Sequence, residues 1–260
     1  MEVSLVVAGH SHVAALAGPK DPPRAGTELV EIEGTSVSVL QGPWPRDVNY
    51  WAALADAARE RMPAIVWEGD QHNAAFLIEP TPPVDFVLSA APDLPMDPRA
   101  SYVAESQLRA LFAPTIDPLG PIVRRLREIS GGPVLVAGTP PPIGDETAIR
   151  TRLPNDPRVV AGAAERGSDI ASIGITSPYT MQKLWSLIQS MVAETTVAAG
   201  GFFVPVPDRA RGADGFLLEQ YWSDHATRAN DEYRREMLTE LAAAAQAATD
   251  PAAASPGNLE

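Results

Sequence analysis

One local pattern recurs along the chain and limits what it can fold into: a short apolar run that ends abruptly in glycine, proline or a polar cluster. Leu5-Val6-Val7-Ala8 runs into Gly9-His10-Ser11-His12. Ala64-Ile65-Val66-Trp67 runs into Glu68-Gly69-Asp70-Gln71-His72-Asn73, and Val134-Leu135-Val136-Ala137 into Gly138-Thr139 and three prolines. Phe202-Phe203-Val204 forms a fourth run, stopped by Pro205. Strands buried on both faces read as continuous apolar runs rather than as alternating ones. Between these runs lie segments with helical spacing of apolar residues, at 49–61, 101–112, 121–129, 178–199 and 231–247. The order predicts a three-layer α/β/α fold, with a doubly wound parallel sheet covered by helices on both faces.

Residues 28–32 and 36–40 alternate with period two about Gly34, which predicts strands or a hairpin. Residues 80–97 are rich in proline, with a possible strand at 84–88. Residues 143–174 carry no sustained periodicity and read as an irregular covering segment. No repeat or composition break divides the chain, so we expect one domain over residues 1–248 and a disordered tail over 249–260.

Composition removes several classes of function. A net charge of -13 argues against phosphate-backbone binding and against an anionic membrane surface. We expect neither a nucleic-acid partner nor a membrane partner. The absence of cysteine excludes a thiol nucleophile and a cysteine zinc site. The first residues show no basic segment followed by a long apolar one, and no stretch approaches the length of a membrane span, so the expected location is cytoplasmic.

In a doubly wound sheet, ligands sit at the carboxyl ends of the strands. That rim would gather Ser11, residues 70–73, the loop 139–142 and residues 224–228. The chain's 4 histidines, His10, His12, His72 and His225, all fall in polar clusters at such strand ends or loops. Gly9, lacking a Cβ, permits a sharp turn after the first strand. Ser11 would then stand near free N–H groups at a helix start, where developing negative charge is favoured. The same position also suits a simple N-cap. A serine near an imidazole and a carboxylate is the set that acyl transfer needs: a base removes the hydroxyl proton, and the acid orients the base.

With those residues in view, the chain resembles the SGNH (GDSL-like) hydrolases, in a divergent bacterial form. The first block is Gly9-His10-Ser11-His12, the second glycine is Gly42, and the third block is residues 68–73. The last is Trp222-Ser223-Asp224-His225-Ala226-Thr227-Arg228-Ala229-Asn230, running into Tyr233. Residues 174–179 with Lys183-Leu184-Trp185 also resemble a bacterial branch of the family. The resemblance implies a flavodoxin-like fold and a serine esterase or acyl transferase acting on an ester of a small molecule or carbohydrate, with no metal or organic cofactor. Three positions depart from the family pattern. His225 stands where the family has its Asp, and Arg228 where it has its His. Asp70 aligns with the oxyanion Asn unless the match shifts to Asn73, and a carboxylate only accepts hydrogen bonds.

Three readings stay open. In the first, Ser11 is the nucleophile, His225 (or His12 or His72) is the base, and Asp70 or Asp224 orients it. Asn73 and the N–H groups of Ser11 and Gly42 then hold the oxyanion, while His12, His72 and Arg228 contact substrate. In the second, His10, His12, Asp70, His72 and His225 bind a divalent transition metal, since imidazoles with a carboxylate suit such ions. In the third, the fold has lost its chemistry and Arg228 holds an anionic ligand through its planar fork. Arg228 is also placed for a surface ion pair with Asp224 or Asp231.

Overall fold

The computed structural model describes residues 3–10, 16, 26–32, 34–42, 46–67, 69 and 71–249. Of the expected site residues, Ser11, His12 and Asp70 lie outside the described residues, as do residues 250–260 of the expected tail.

A six-stranded sheet forms the centre. Its strands are β1 (Ser4–Gly9), β2 (Gly26–Ile32), β3 (Thr35–Gln41), β4 (Met62–Val66), β7 (Leu135–Ala137) and β8 (Phe202–Val204), in the order β2-β3-β1-β4-β7-β8. The five strands from β3 to β8 are parallel, and β2 pairs antiparallel with β3 as an edge hairpin about Gly34. Setting β2 aside, the parallel strands run in chain order 2-1-3-4-5, the flavodoxin-like arrangement, whose direction of winding reverses at β1. The fold class read from the sequence holds, with the refinement that one edge strand makes the sheet mixed.

Successive side chains on a strand point to opposite faces, and here both faces are buried. Val6 and Ala8 of β1 join Ile65 and Val136 in one core, while Leu5 and Val7 join Ala64, Val66, Leu135 and Ala137 in the other. The first core is closed by α1 (Val48–Ala57), α3 (Glu105–Ile116), α4 (Leu119–Ser130) and most of α7 (Pro178–Ala198). The second is closed chiefly by α8 (Asp231–Thr249), through Tyr233, Met237, Leu238 and Leu241. Both faces of the central strands are therefore withdrawn from water, which explains why these runs lack the polar alternation seen in β2 and β3. No helix among the described residues is long and apolar enough to cross a membrane.

Two segments differ from expectation. Residues 143–174 contain α5 (Glu146–Arg152), a 3-10 turn (Leu153–Asn155) and α6 (Pro157–Glu165). Asp145 caps α5 by accepting from the Ala148 N–H at 2.9 Å, and Ile149, Leu153, Val159 and Ala163 supply the buried face. These helices, of 7 and 9 residues, are too short to display a sustained periodic stripe. In residues 80–97 the expected strand is two residues long: β5 (Val84–Asp85) pairs with β6 (Ser101–Tyr102) in a separate small sheet.

Candidate functional site

The site is built from the carboxyl ends of β1, β3, β4 and β7. At the end of β1, Gly9 adopts φ +153°, and a Cβ there would sit 2.0 Å from the Val66 carbonyl oxygen of β4. Only glycine allows so close an approach. The next residue, His10, donates its N–H to that same oxygen at 3.0 Å. Its ring stands edge-on to Trp67 at 4.3 Å and to Trp51 at 5.6 Å.

On the β3 side the register of β1 and β3 stops at Val7 and Val39. Beyond it, the Tyr50 hydroxyl occupies the space between the diverging strands. It accepts from the Gly9 N–H at 2.8 Å and lies 3.0 Å from the Leu40 carbonyl and 3.2 Å from the Gly9 carbonyl. Burial pushes the phenol up from its ordinary pKa, against the opposing pull of Gly9 and Arg46, so the hydroxyl keeps its proton and can donate while accepting. Arg46 donates from Nε to the Gly9 carbonyl at 3.1 Å and lies over the Tyr50 ring at 4.6 Å. Gly42 packs flat on that ring, where a Cβ would come within 2.8 Å of a ring carbon.

On the other side, the segment after β4 is tied to the segment after β7. Gly69 (φ +97°) lies so close to Thr139 that a Cβ would meet its side chain at 2.3 Å. Thr139 Oγ1 donates to the Gly69 carbonyl at 3.4 Å and accepts from Gln189 Nε2 at 2.9 Å. The Thr139 N–H donates to Gln189 Oε1 at 3.1 Å, and its carbonyl accepts from Trp185 Nε1 at 3.0 Å. Gln71 accepts from the Gly69 N–H at 2.9 Å and donates to Thr115 at 3.1 Å. Two residues of α7, Trp185 and Gln189, thus fix the loop that leads into Pro140-Pro141-Pro142.

His72 and Asn73 lie on the short helix α2 (Gln71–Phe76). His72 is buried. Asn73 faces a cleft of about 400 Å³ that it shares with Leu77, Asp156, Val159 and Thr227, and Thr227 donates to Asp156 at 3.4 Å. Two blocks singled out in the sequence, around Asn73 and Thr227, therefore meet on one cleft. A smaller apolar cavity of about 20 Å³ puts Val66 and Gly138, at the ends of β4 and β7, beside Asn230, Tyr233 and Met237.

The last block is a tight loop closed by a bridge between Trp222 and Ala229. Ser223 Oγ accepts from the His225 N–H at 3.1 Å and donates to the Arg228 carbonyl at 2.9 Å. Arg152 and Asn155 hold the loop from outside through the carbonyls of Ser223 and Asp224, at 2.9 and 2.8 Å. Asn230 caps α8, accepting from the N–H groups of Glu232 and Tyr233 at 3.0 and 3.2 Å. His225 Nε2 stands 3.9 Å from Asp224 Oδ1, beyond hydrogen-bond reach, and the Asp224 side chain is 81% exposed. Arg228 is exposed, and among the described residues it pairs with neither Asp224 nor Asp231. Arg234 is the residue beside Asp231, at 3.7 Å. Among the described residues no three His, Asp or Glu side chains converge as a metal site.

The sequence pattern marks the glycine, the histidines, residues 68–73 and the last block, but not Tyr50, Arg46 or Gln189. These three act on backbone groups far away in sequence, at Gly9, Leu40 and Thr139. The one local hint is the spacing Gly42, Arg46, Tyr50, whose meaning lies in the return of α1 to the end of β1.

The sequence matches no family model and no curated protein sequence. Among solved structures, the fold is similar to that of phospholipase A1 from Streptomyces albidoflavus NA297, with 8% identity over 94% of this chain and 99% of that chain and a TM-score of 0.47.

Proposed function

We propose that the protein is a serine hydrolase or acyl transferase of the SGNH type, acting on an ester of a small molecule, with no metal or organic cofactor. The observation that carries this reading is the convergence of the resembling blocks. Gly9-His10, Gly42, Gly69, Gln71-His72-Asn73 and the loop leading to Tyr233 lie along the carboxyl ends of the parallel strands. In this topology the reversal of winding at β1 marks where a ligand is expected.

In this reading Ser11 Oγ attacks the ester carbonyl carbon and gives its proton to an imidazole, with His225 first in line and His12 or His72 as alternatives. Asp224 or Asp70 steadies the imidazolium. The carbonyl oxygen takes up the negative charge and is held by the N–H groups of Ser11 and Gly42 and by the Asn73 amide. The imidazolium then protonates the departing alcohol, and a water or a second alcohol repeats the sequence on the acyl-enzyme. The 3.9 Å gap between His225 and Asp224 closes in the substrate complex, since hydrogen bonds between catalytic groups are often long before substrate binds. The cleft shared by Asn73 and Thr227 supplies space for part of the substrate.

The test uses short-chain p-nitrophenyl esters and a fluorophosphonate probe on the purified protein. Wild type should take up one label per chain and turn over ester, and Ser11→Ala should lose both, with a fall of at least ~10³-fold in turnover. Equal hydrolysis by the two proteins at background level sinks the reading.

A further inference from the structure

We propose that Tyr50, assisted by Arg46, is a positioning residue that sets the separation of the two backbone donors expected to hold the oxyanion. The inference rests on the serine-hydrolase reading above. The β1–β3 ladder ends at Val7 and Val39, so the peptide groups of Gly9 and Leu40 that face one another beyond it have lost their direct ladder partners. The Tyr50 hydroxyl is inserted between them: it accepts from the Gly9 N–H at 2.8 Å and donates across to the Leu40 carbonyl at 3.0 Å. Gly9 precedes Ser11 by two residues, and Leu40 precedes Gly42 by two. One buried hydroxyl therefore clamps both strands two residues short of each expected donor.

The rest of the arrangement serves the same clamp. Arg46 holds the Gly9 carbonyl at 3.1 Å, which leaves the Tyr50 proton for Leu40. Gly42, with no Cβ, leaves the space that the Tyr50 ring fills. Asp47 caps α1 by accepting from the Tyr50 N–H at 2.9 Å, so the backbone that carries the ring is itself fixed. A donor pair stabilises an oxyanion only when both members aim at the point where the charge develops, and a shift of ~1 Å at such a site costs on the order of 100-fold in rate. Tyr50 touches no reacting atom in this reading. Its part is to keep the opening between β1 and β3 at a fixed width.

The decisive comparison is Tyr50→Phe against wild type in fluorophosphonate labelling and ester turnover. The ring stays and the bridging hydroxyl goes. The expected result is unchanged stoichiometry of one label per chain, a labelling rate constant and kcat lower by ~10–100-fold, and KM within about twofold. A merely structural role gives the opposite split, with fewer labelled chains and an unchanged rate constant for those that react. That result, or wild-type kinetics, overturns the proposal. Arg46→Met provides a second arm should Tyr50→Phe fail to fold; it removes the bond to the Gly9 carbonyl and should lower the rate constant in the same direction by a smaller factor, and wild-type kinetics there also overturn it. If wild type carries no label on Ser11 and Ser11→Ala turns over ester equally, the serine-hydrolase reading falls and the positioning role with it. Labelling of wild type with no effect of either variant rejects the clamp alone.

Discussion

Helix α7 carries two polar networks about two turns apart, one wholly buried and one half-buried, and they are built from opposite materials. Near its start, Lys183 meets Asp85 at 2.6 Å with both side chains wholly buried. Near its middle, Gln189 meets Thr139 through two neutral hydrogen bonds at 2.9 and 3.1 Å. The ionic network is saturated from both ends. Lys183 Nζ also donates to the Pro95 carbonyl at 3.1 Å and approaches the Met96 sulfur at 3.3 Å, while Asp85 accepts from the N–H groups of Phe86 and Asp97, each at 2.8 Å. Every contact it makes goes to the proline-rich segment 84–97. The neutral network instead ends on backbone groups of Gly69 and Thr139 at the strand rim. One network anchors a strap whose chain has little regular structure of its own, and the other fixes the edge of the candidate site. Stability should depend more on the first and rate on the second.

The largest expected effect is therefore at Lys183. Lys183→Met leaves a carboxylate buried without its counter-charge, a loss of about 3–5 kcal/mol, which is a large share of the roughly 5–15 kcal/mol that holds a domain together. Urea unfolding should show it as a fall in the midpoint. Lys183→Met with Asp85→Asn removes both charges and should recover most of the loss. If the double variant is no more stable than the single one, the pair acts through packing rather than charge. On the proposed serine-hydrolase reading, the ester hydrolysis rate per labelled chain should stay at the wild-type value in whatever fraction remains folded.

Gln189→Leu is the counterpart. It orphans the Thr139 N–H and removes a partner of its hydroxyl, a stability cost of about 1–3 kcal/mol, smaller than at Lys183. Yet it frees the loop that meets Gly69, so the labelling rate constant should fall while stoichiometry holds. Should Lys183→Met slow labelling of the folded protein and Gln189→Leu leave the labelling rate alone, the assignment of the two networks is reversed.

The contrast also bears on how much the sequence discloses. The central strands were legible because burial on both faces writes itself as a continuous apolar run: Leu5 and Val7 serve one core, Val6 and Ala8 the other. The hairpin at Gly34 and the long helices were legible for a similar reason, since a period and a breaker are local. The 2.6 Å contact between Lys183 and Asp85 was not legible. The two residues lie 98 positions apart, and nothing near Asp85 separates a buried carboxylate from the solvated ones around it. Tyr50 escaped notice because its partners, Gly9 and Leu40, are backbone groups that leave no mark in side-chain patterns. The last block was found from its composition, but whether His225 and Asp224 cooperate depends on a distance, and at 3.9 Å with Asp224 largely in water the pair is loose.

The smallest expected effect tests the outer end of the strap. Asp97 accepts three hydrogen bonds from Arg99, from its backbone N–H at 2.9 Å, Nε at 3.1 Å and Nη2 at 2.7 Å, and the guanidinium holds the carboxyl below its ordinary pKa. The Arg99 side chain is 61% exposed, so water screens the pair and its worth is about 0–1 kcal/mol. A carboxylate with a depressed pKa in the folded protein stabilises it above the unfolded value and loses that contribution as pH falls through the folded one. Asp97→Asn should therefore lower Tm slightly at pH 7, and the difference from wild type should shrink as pH drops below about 4, the ordinary range for Asp. The Asp97 N–H still reaches Asp85 in this variant, so the hydrogen bond to the buried pair is kept while the Asp97 charge, which acts mainly on Arg99 and more weakly on Lys183, is removed. A Tm difference that persists or grows on acidification would place the effect in the Asp97 backbone and hence in the Lys183 network, and the two ends of the strap would then act as one unit.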